Sequence, residues 1–344
     1  MDLLRKLLFP FAALYGAITQ FRNYLYDTGF FRSYEFEIPI ITVGNLTTGG
    51  TGKSPQIEYL IRLLSPTFKV ATLSRGYKRS SKGFLLADKD ASARTLGDEP
   101  YQFYLKFPKI RVAVDGDRVR GVQRLLALGD RPQVILLDDA FQHRRVKAGL
   151  NILLTMYGDI FTDDFLLPTG NLRESRRSAK RADIIIVTKC PVHLTESEQR
   201  NISDRIKLQD HQQLYFSYID CDEMVHSESG SLPLTLILNQ QKFVLAGIAK
   251  PEHFFKTVYR EGDTILKFAD HHHFSEKEIL VISEQMGDRI IVTTEKDYVR
   301  LKHRLPADKL YYLPIRSVFV GKSELFDKTI LNYVGSGKTN SGLH

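Results

Sequence analysis

The sequence predicts an α/β protein: a parallel sheet covered by helices, then a second, smaller α/β unit, with one amphipathic helix ahead of both. Three observations predict it. Short apolar runs alternate with helical stretches from residue 36 onward, and a Gly-rich turn joins the first run to a helix. The pattern then loosens over residues 222–240 before a second α/β set begins. A chain of 344 residues, 43% hydrophobic and 26% charged, has room for two domains of ordinary size. That composition excludes disorder, collagen and a coiled coil as the main architecture.

In residues 1–33, Leu4, Leu7, Leu8, Phe11, Leu14, Tyr15, Ile18, Phe21 and Leu25 recur at steps of three and four, which predicts a helix with one apolar stripe. The most apolar stretch, Leu7 to Ile18, is too short for a membrane span of about 20 residues and contains Pro10. No small-residue cleavage site follows it, so it is not read as a signal peptide. Arg5, Lys6 and Arg22 beside a Leu/Phe/Tyr stripe suit a helix lying in a membrane interface.

Buried strands are expected at Phe36–Val43, Lys69–Ser74, Ile110–Val114, Val134–Leu137, Leu150–Thr155 and Ile184–Thr188. Helices are expected from Ser54 to about Leu64, at Pro100–Phe107 and at Arg118–Leu128. The second set has strands at Phe243–Ala246, Ile290–Thr293 and Leu310–Ile315, with helices at Glu252–Tyr259 and Ser275–Met286. Strands alternating with helices imply parallel pairing. The expected organisation is a helix over 1–33, a first α/β domain over 34–225, a linker or hairpin over 226–240, a second α/β domain over 241–334, and a disordered tail over 335–344.

Forty-eight Lys and Arg against 40 Asp and Glu leave a net charge of +8, which favours an anionic partner. Nucleic acid is not the expected one, because no helix clusters Lys and Arg and no aromatic platform offers to stack bases. Cys190 and Cys221 supply neither a disulfide framework nor metal spacing and are read as reduced thiols of a cytosolic protein.

Thr47-Thr48-Gly49-Gly50-Thr51-Gly52-Lys53-Ser54 follows a strand and opens a helix, the setting of a phosphate-binding loop, with Thr47 where the usual pattern has Gly. The loop's N–H groups and the helix terminus would hold phosphate oxygens. Lys53 would reach the β- and γ-phosphates, and the Ser54 hydroxyl would ligate Mg²⁺. The apolar strand Val134–Leu137 ends in Asp138-Asp139, carboxylates suited to the nucleotide's Mg²⁺. Gly97-Asp98-Glu99-Pro100 precedes a helix; its acids suit either capping or the carboxylate that a kinase uses on the attacking hydroxyl. Asp270-His271-His272-His273 lacks metal-ligand spacing, but a His beside an acid can polarise a base. The strand ending Thr188-Lys189-Cys190-Pro191 lacks the acid that reads guanine, so ATP is the expected nucleotide.

Taken in order, Gly44-Asn45-Leu46 through Ser54, Ser74-Arg75-Gly76-Tyr77, Gly97–Pro100, Asp138–His143, Leu167-Pro168-Thr169-Gly170-Asn171-Leu172-Arg173-Glu174, Asp270-His271 and Thr293-Thr294-Glu295-Lys296-Asp297 resemble the tetraacyldisaccharide 4'-kinases of lipid A synthesis. Ala140 stands where that family has Gly. The resemblance implies a P-loop NTPase-like domain and a smaller α/β/α domain with the active site in the cleft between them. It also implies Mg²⁺-dependent transfer of the γ-phosphate of ATP to the 4'-hydroxyl of a tetraacylated disaccharide 1-phosphate, giving a lipid A precursor. By the same carry-over Asp98 is the base and His271 its partner. Glu99, Asp138 and Asp139 serve Mg²⁺ and the nucleotide, while Arg75 and Arg173 meet the substrate. The implied setting is the cytoplasmic face of the bacterial inner membrane, with no obligate protein partner. The competing expectation is a membrane-associated P-loop switch ATPase or metallochaperone, which differs in needing no lipid acceptor for turnover.

Overall fold

The computed structural model describes residues 5, 7–248, 251–270 and 272–337. Of the positions singled out above, Leu4, Lys6, His271 and the tail residues 338–344 lie outside them.

In chain order the strands are β1 (Ile40–Asn45), β2 (Val70–Ser74), β3 (Leu85–Leu86), β4 (Arg111–Val114), β5 (Val134–Asp138), β6 (Leu150–Met156), β7 (Ile184–Thr188), β8 (Gln213–Cys221), β9 (Met224–Ser227), β10 (Gly230–Pro233), β11 (Lys242–Ala246), β12 (Thr264–Lys267), β13 (Ile290–Thr294), β14 (Leu310–Leu313) and β15 (Ile315–Phe319). They form a nine-stranded sheet in the order β15-β8-β7-β6-β1-β5-β2-β4-β3 and a six-stranded sheet in the order β10-β9-β14-β13-β11-β12. The large sheet is parallel except at its two edges, where β3 and β15 pair antiparallel with β4 and β8. β1 lies at its centre, with Ile40 opposite Ile135 of β5 and Ile41 opposite Leu150 of β6.

β1, β2, β5 and β7 are buried along their whole length. Helices cover both faces of such a sheet, so these strands read as continuous apolar runs rather than alternating ones. The helix Lys53–Leu64 buries Ile57, Leu60, Ile61 and Leu64 against one face. Their spacing of three and four residues is the apolar stripe of a helix. Val119, Val122 and Leu125 of the helix Arg118–Leu126 do the same on the other face.

Of the linker or hairpin expected over 226–240, the structure holds the hairpin: β9 and β10 pair at the edge of the small sheet, followed by a short helix Leu234–Leu238. One part of the chain departs from the sequence reading: residues 315–335, expected in the second domain, do not belong with the small sheet. β15 pairs with β8, and the helix Ser323–Gly335 packs Phe326, Ile330, Tyr333 and Val334 into the same cluster as Ile57 and Leu60. The Tyr333 hydroxyl caps this return by donating to the Ile40 carbonyl at 3.1 Å and accepting from the Ile40 N–H at 3.2 Å. The chain thus crosses between the sheets twice, side by side, with the Asp222 N–H donating to the Pro314 carbonyl at 2.9 Å.

The amino-terminal helix spans Phe9–Asp27, with a Pro in its first turn where the ring is tolerated. It buries only Ala12, Gly16 and Asn23. Leu7, Phe11, Leu14, Ile18 and Phe21 form an apolar stripe that points away from the protein and is exposed. The period was legible in the sequence; the direction of the stripe was not.

Candidate active site

The site lies at the carboxyl ends of the parallel strands, where ligands bind in open α/β sheets. β1 runs into the Gly-rich loop and the helix Lys53–Leu64, so Lys53 sits over the end of the sheet. β5 delivers Asp138 beside it, and Asp139 follows in a left-handed conformation with φ +46. Asp takes that conformation more readily than most residues, at a modest cost. The two turns pack backbone to backbone. A Cβ on Gly44 would lie 2.6 Å from the Phe141 Cβ and 2.9 Å from the Phe141 N, so only Gly lets β1 approach the β5 turn this closely.

Asn45, fully buried, is the hub of the polar network. Its Oδ1 accepts from Lys53 Nζ at 3.2 Å and from Arg173 Nη2, and its backbone carbonyl accepts from Gln142 Nε2 at 2.9 Å and Arg173 Nη2 at 3.0 Å. Arg173 also forks onto Asp139, at 2.8 and 3.3 Å, and Lys53 Nζ lies 3.8 Å from Asp139 Oδ1. The Arg173 segment is held by the loop itself: the Arg173 N–H donates to the Leu46 carbonyl at 2.7 Å, and the Thr48 N–H donates to the Asn171 carbonyl at 2.8 Å. That pairing explains why the Leu167–Glu174 stretch carries a motif.

The electrostatics separate the two adjacent acids. Burial, then the neighbouring Asp139 charge, push the Asp138 carboxyl up to about 6, with the Ser74 hydroxyl donating to its Oδ2 at 3.2 Å. Burial acts against Asp139 too, but Lys53 and Arg173 outweigh it and hold that carboxyl below its ordinary range. Arg118, only 3% exposed, is near enough for its charge to interact with both acids and donates to the Asp115 carbonyl at 2.9 Å.

Asp98 and Glu99 open the helix Asp98–Lys106. Its entry requires Gly97, at φ +94, whose added Cβ would meet the Tyr77 carbonyl at 3.1 Å; the Ser74–Tyr77 and Gly97–Pro100 turns are therefore one packed unit. Asp98 Oδ2 accepts from Arg300 Nη2, and Glu99 Oε1 accepts from Lys296 Nζ at 3.1 Å.

Among the residues expected from sequence, Lys53, Asp138, Asp139 and Arg173 come together, and the Glu99 charge acts on Asp138. Arg75 is exposed at the end of β2, and Ser54 stands in the first turn of the loop helix. Sequence reasoning missed roles for Asn45, Arg118, Lys296 and Arg300. An amide at the end of an apolar strand was a usable signal for Asn45, whereas nothing in the local pattern marks Arg118 or Arg300. Two adjacent carboxylates, one deeply buried, are suited to a hard divalent ion, and the Lys53 and Arg173 cations beside them to phosphate oxygens.

Known proteins resemble this chain along almost its whole length. Residues 4–335 match the family described as tetraacyldisaccharide-1-P 4'-kinase. A tetraacyldisaccharide 4'-kinase of Flavobacterium psychrophilum is 55% identical over 342 residues, 99% of this chain and 100% of the relative. One from Bacteroides thetaiotaomicron is 42% identical over 362 residues, 98% of this chain and 95% of the relative. The crystal structure of LpxK from Aquifex aeolicus in complex with ATP superposes with a TM-score of 0.77 at 30% identity, covering 96% of this chain and 99% of that one. A chain matched along almost its whole length by the family, by relatives and by a solved fold leaves one conclusion: it belongs to the tetraacyldisaccharide-1-P 4'-kinase family.

Proposed function

We propose that the chain binds ATP in the loop Thr47–Ser54 and transfers its γ-phosphate to the 4'-hydroxyl of a tetraacyldisaccharide 1-phosphate, a step of lipid A synthesis. The observation that carries this reading is the cluster of Lys53, Asp138, Asp139 and Arg173 at the ends of β1 and β5, in a chain of this family. Phosphoryl transfer depends mainly on positioning and charge stabilisation, and this cluster offers both. Lys53 meets the β- and γ-phosphates. Arg173, bidentate on Asp139, meets anionic oxygens of the transferring group or the substrate, and Arg75 meets the substrate. Asp98 accepts the proton of the attacking hydroxyl, with His271 as its partner.

Mg²⁺ is assigned to oxygen donors drawn from Asp138, Asp139, Glu99 and the Ser54 hydroxyl, since the ion prefers one or two carboxylates plus substrate phosphates over an all-protein cage. Among the described residues no group of three His, Cys, Asp or Glu side chains forms such a cage. Bound there, Mg²⁺ would supply positive charge to the phosphates, and Asp138, raised toward neutrality by burial, would ionise beside it.

The substrate carries four acyl chains, and each CH₂ drawn into water costs about 0.8 kcal/mol, so the enzyme works where the lipid lies. The outward stripe of Leu7, Phe11, Leu14, Ile18 and Phe21 supports a helix seated on the inner membrane's cytoplasmic surface. No helix of the described residues is long and apolar enough to cross a membrane.

The test is transfer of label from γ-³²P-ATP to tetraacyldisaccharide 1-phosphate in detergent micelles, with Mg²⁺ and with EDTA. Labelled lipid formed only with Mg²⁺ is expected; ATP hydrolysis without labelled lipid refutes the reading in favour of a switch ATPase.

A further inference from the structure

The helix Glu295–Leu301 belongs to the small sheet's layer yet lies against the helix Asp98–Lys106 of the large one. Val299 packs with Leu96 and Tyr101, and Glu295 pairs with Lys106. Along the same face, Lys296 reaches Glu99 at 3.1 Å and Arg300 reaches Asp98. Of the two cations, Arg300 is the buried one, with a side chain only 9% exposed against 36% for Lys296. Its Nη1 lies 3.4 Å from Oδ1 of Asp297, which is fully buried. Asp297 is itself fixed: the Thr294 hydroxyl donates to its Oδ2 at 2.7 Å, and the Gly247 N–H, just past β11, donates to the same oxygen at 2.8 Å. A continuous chain of bonds therefore runs from the carboxyl ends of β11 and β13 through Asp297 and Arg300 to Asp98.

This arrangement accounts for the Thr293–Asp297 stretch, to which the local sequence pattern attaches no chemistry. A rigid guanidinium fork held from behind by a buried carboxylate offers its other nitrogen in one orientation. A carboxylate bonded to it through Oδ2 has that oxygen anchored, which narrows the orientations from which its other oxygen can take a proton. A base held in one geometry avoids the loss incurred when a flexible side chain must be ordered at each turnover.

We propose that Arg300 is a positioning residue for Asp98, so that the base is aligned only while the helix Glu295–Leu301 is docked on the helix Asp98–Lys106. The inference rests on the reading of Asp98 as the base. It makes the small sheet a contributor to the chemistry through the base, in addition to any part it has in binding.

The test uses the full-length enzyme and four variants: Arg300→Ala, Arg300→Lys, Asp98→Asn and the double variant Asp98→Asn/Arg300→Ala. Transfer is measured at saturating ATP and lipid, with ATP affinity and thermal midpoint alongside. Arg300→Ala is expected to lower kcat roughly ten- to a hundredfold, with ATP affinity within twofold of wild type. Low-millimolar guanidinium is expected to restore part of that loss, and to restore none in Asp98→Asn. The double variant is expected to turn over no more slowly than Asp98→Asn alone, since nothing remains to be positioned. Wild-type kcat in Arg300→Ala, or losses that multiply in the double variant, would overturn the proposal. If Arg300→Ala fails to fold, Arg300→Lys decides. That variant keeps the charge but not the fork, so a lowered kcat at unchanged ATP affinity supports positioning, and wild-type kcat refutes it. Wild-type turnover in Asp98→Asn is a separate result, which removes Asp98 as the base and this inference with it.

Discussion

Asp138 offers a prediction in which stability and activity move in opposite directions. Its carboxyl is pushed from 3.8 to about 6 in the folded chain, first by burial and then by Asp139. The sign follows directly. Between about pH 4 and pH 6 the folded chain holds a proton that the unfolded chain has released, so stability falls as pH rises through that window. Above about pH 6 the folded, metal-free protein carries the whole penalty of an ionised, buried Asp138. That roughly hundredfold rise in proton affinity, at 1.36 kcal/mol per factor of ten, is worth about 3 kcal/mol. Asp138→Asn removes the charge while retaining an oxygen to accept from Ser74. In EDTA at pH 8 the variant should therefore be about 3 kcal/mol more stable than wild type, or about 4 °C in midpoint for a chain of this length unfolding as one unit. The two midpoints should converge near pH 4. Adding Mg²⁺ and ATP should reverse the order, because the ligand stabilises wild type by mass action and the variant much less. Phosphate transfer by the variant should be nearly abolished. Calorimetry across pH, with and without Mg·ATP, checks this. Equal midpoints at pH 8, or a variant less stable there, would refute the account of a carboxylate kept charged at the expense of stability.

Other outcomes follow from the same geometry. Lys53→Ala removes the ammonium proposed to meet the phosphates and leaves Asn45 Oδ1 and Asp139 to Arg173; kcat should fall about 10²–10³-fold, and an unchanged kcat in the transfer assay would refute the loop assignment. The triple variant Phe11→Ser, Leu14→Ser, Ile18→Ser alters only exposed side chains. It should keep the wild-type midpoint but lose about a thousandfold in affinity for anionic vesicles by co-sedimentation, at about 1.5 kcal/mol or more per side chain. Lys106→Met strips a cation from the buried carboxylates of Glu58 and Glu295. Denaturation should show a loss of about 3–5 kcal/mol at pH 8. The loss should shrink at pH 5, since burial and the Glu58 charge push the Glu295 carboxyl up and it protonates first.

Much of the site was legible because local chain chemistry encodes it. A phosphate loop needs glycines, a lysine and a helix start within eight residues, and an acidic pair at a strand end needs only that the apolar run stop there. These signals located Lys53, Asp138 and Asp139, and the helical period located the amino-terminal stripe. The fold class was legible for the same reason, since buried parallel strands write themselves as unbroken apolar runs.

What the local pattern did not carry is set by partners far apart in the chain. Asp98 meets Arg300 across 202 positions, and Arg173 meets Asn45 across 128. No period or spacing encodes such pairs, because each side chain obeys its own element's local rules until packing brings the elements together. Residues 315–335 show the same limit. An apolar strand and an amphipathic helix fit either sheet locally; in the structure the strand pairs with β8 and the helix packs against Ile57 and Leu60. The sequence by itself determined the layered fold and marked the Gly-rich loop and the acidic pair beside it. Only the tertiary structure decided which way the amino-terminal stripe faces and which residues hold the acids, because burial and charge pairing depend on neighbours that the chain order does not supply.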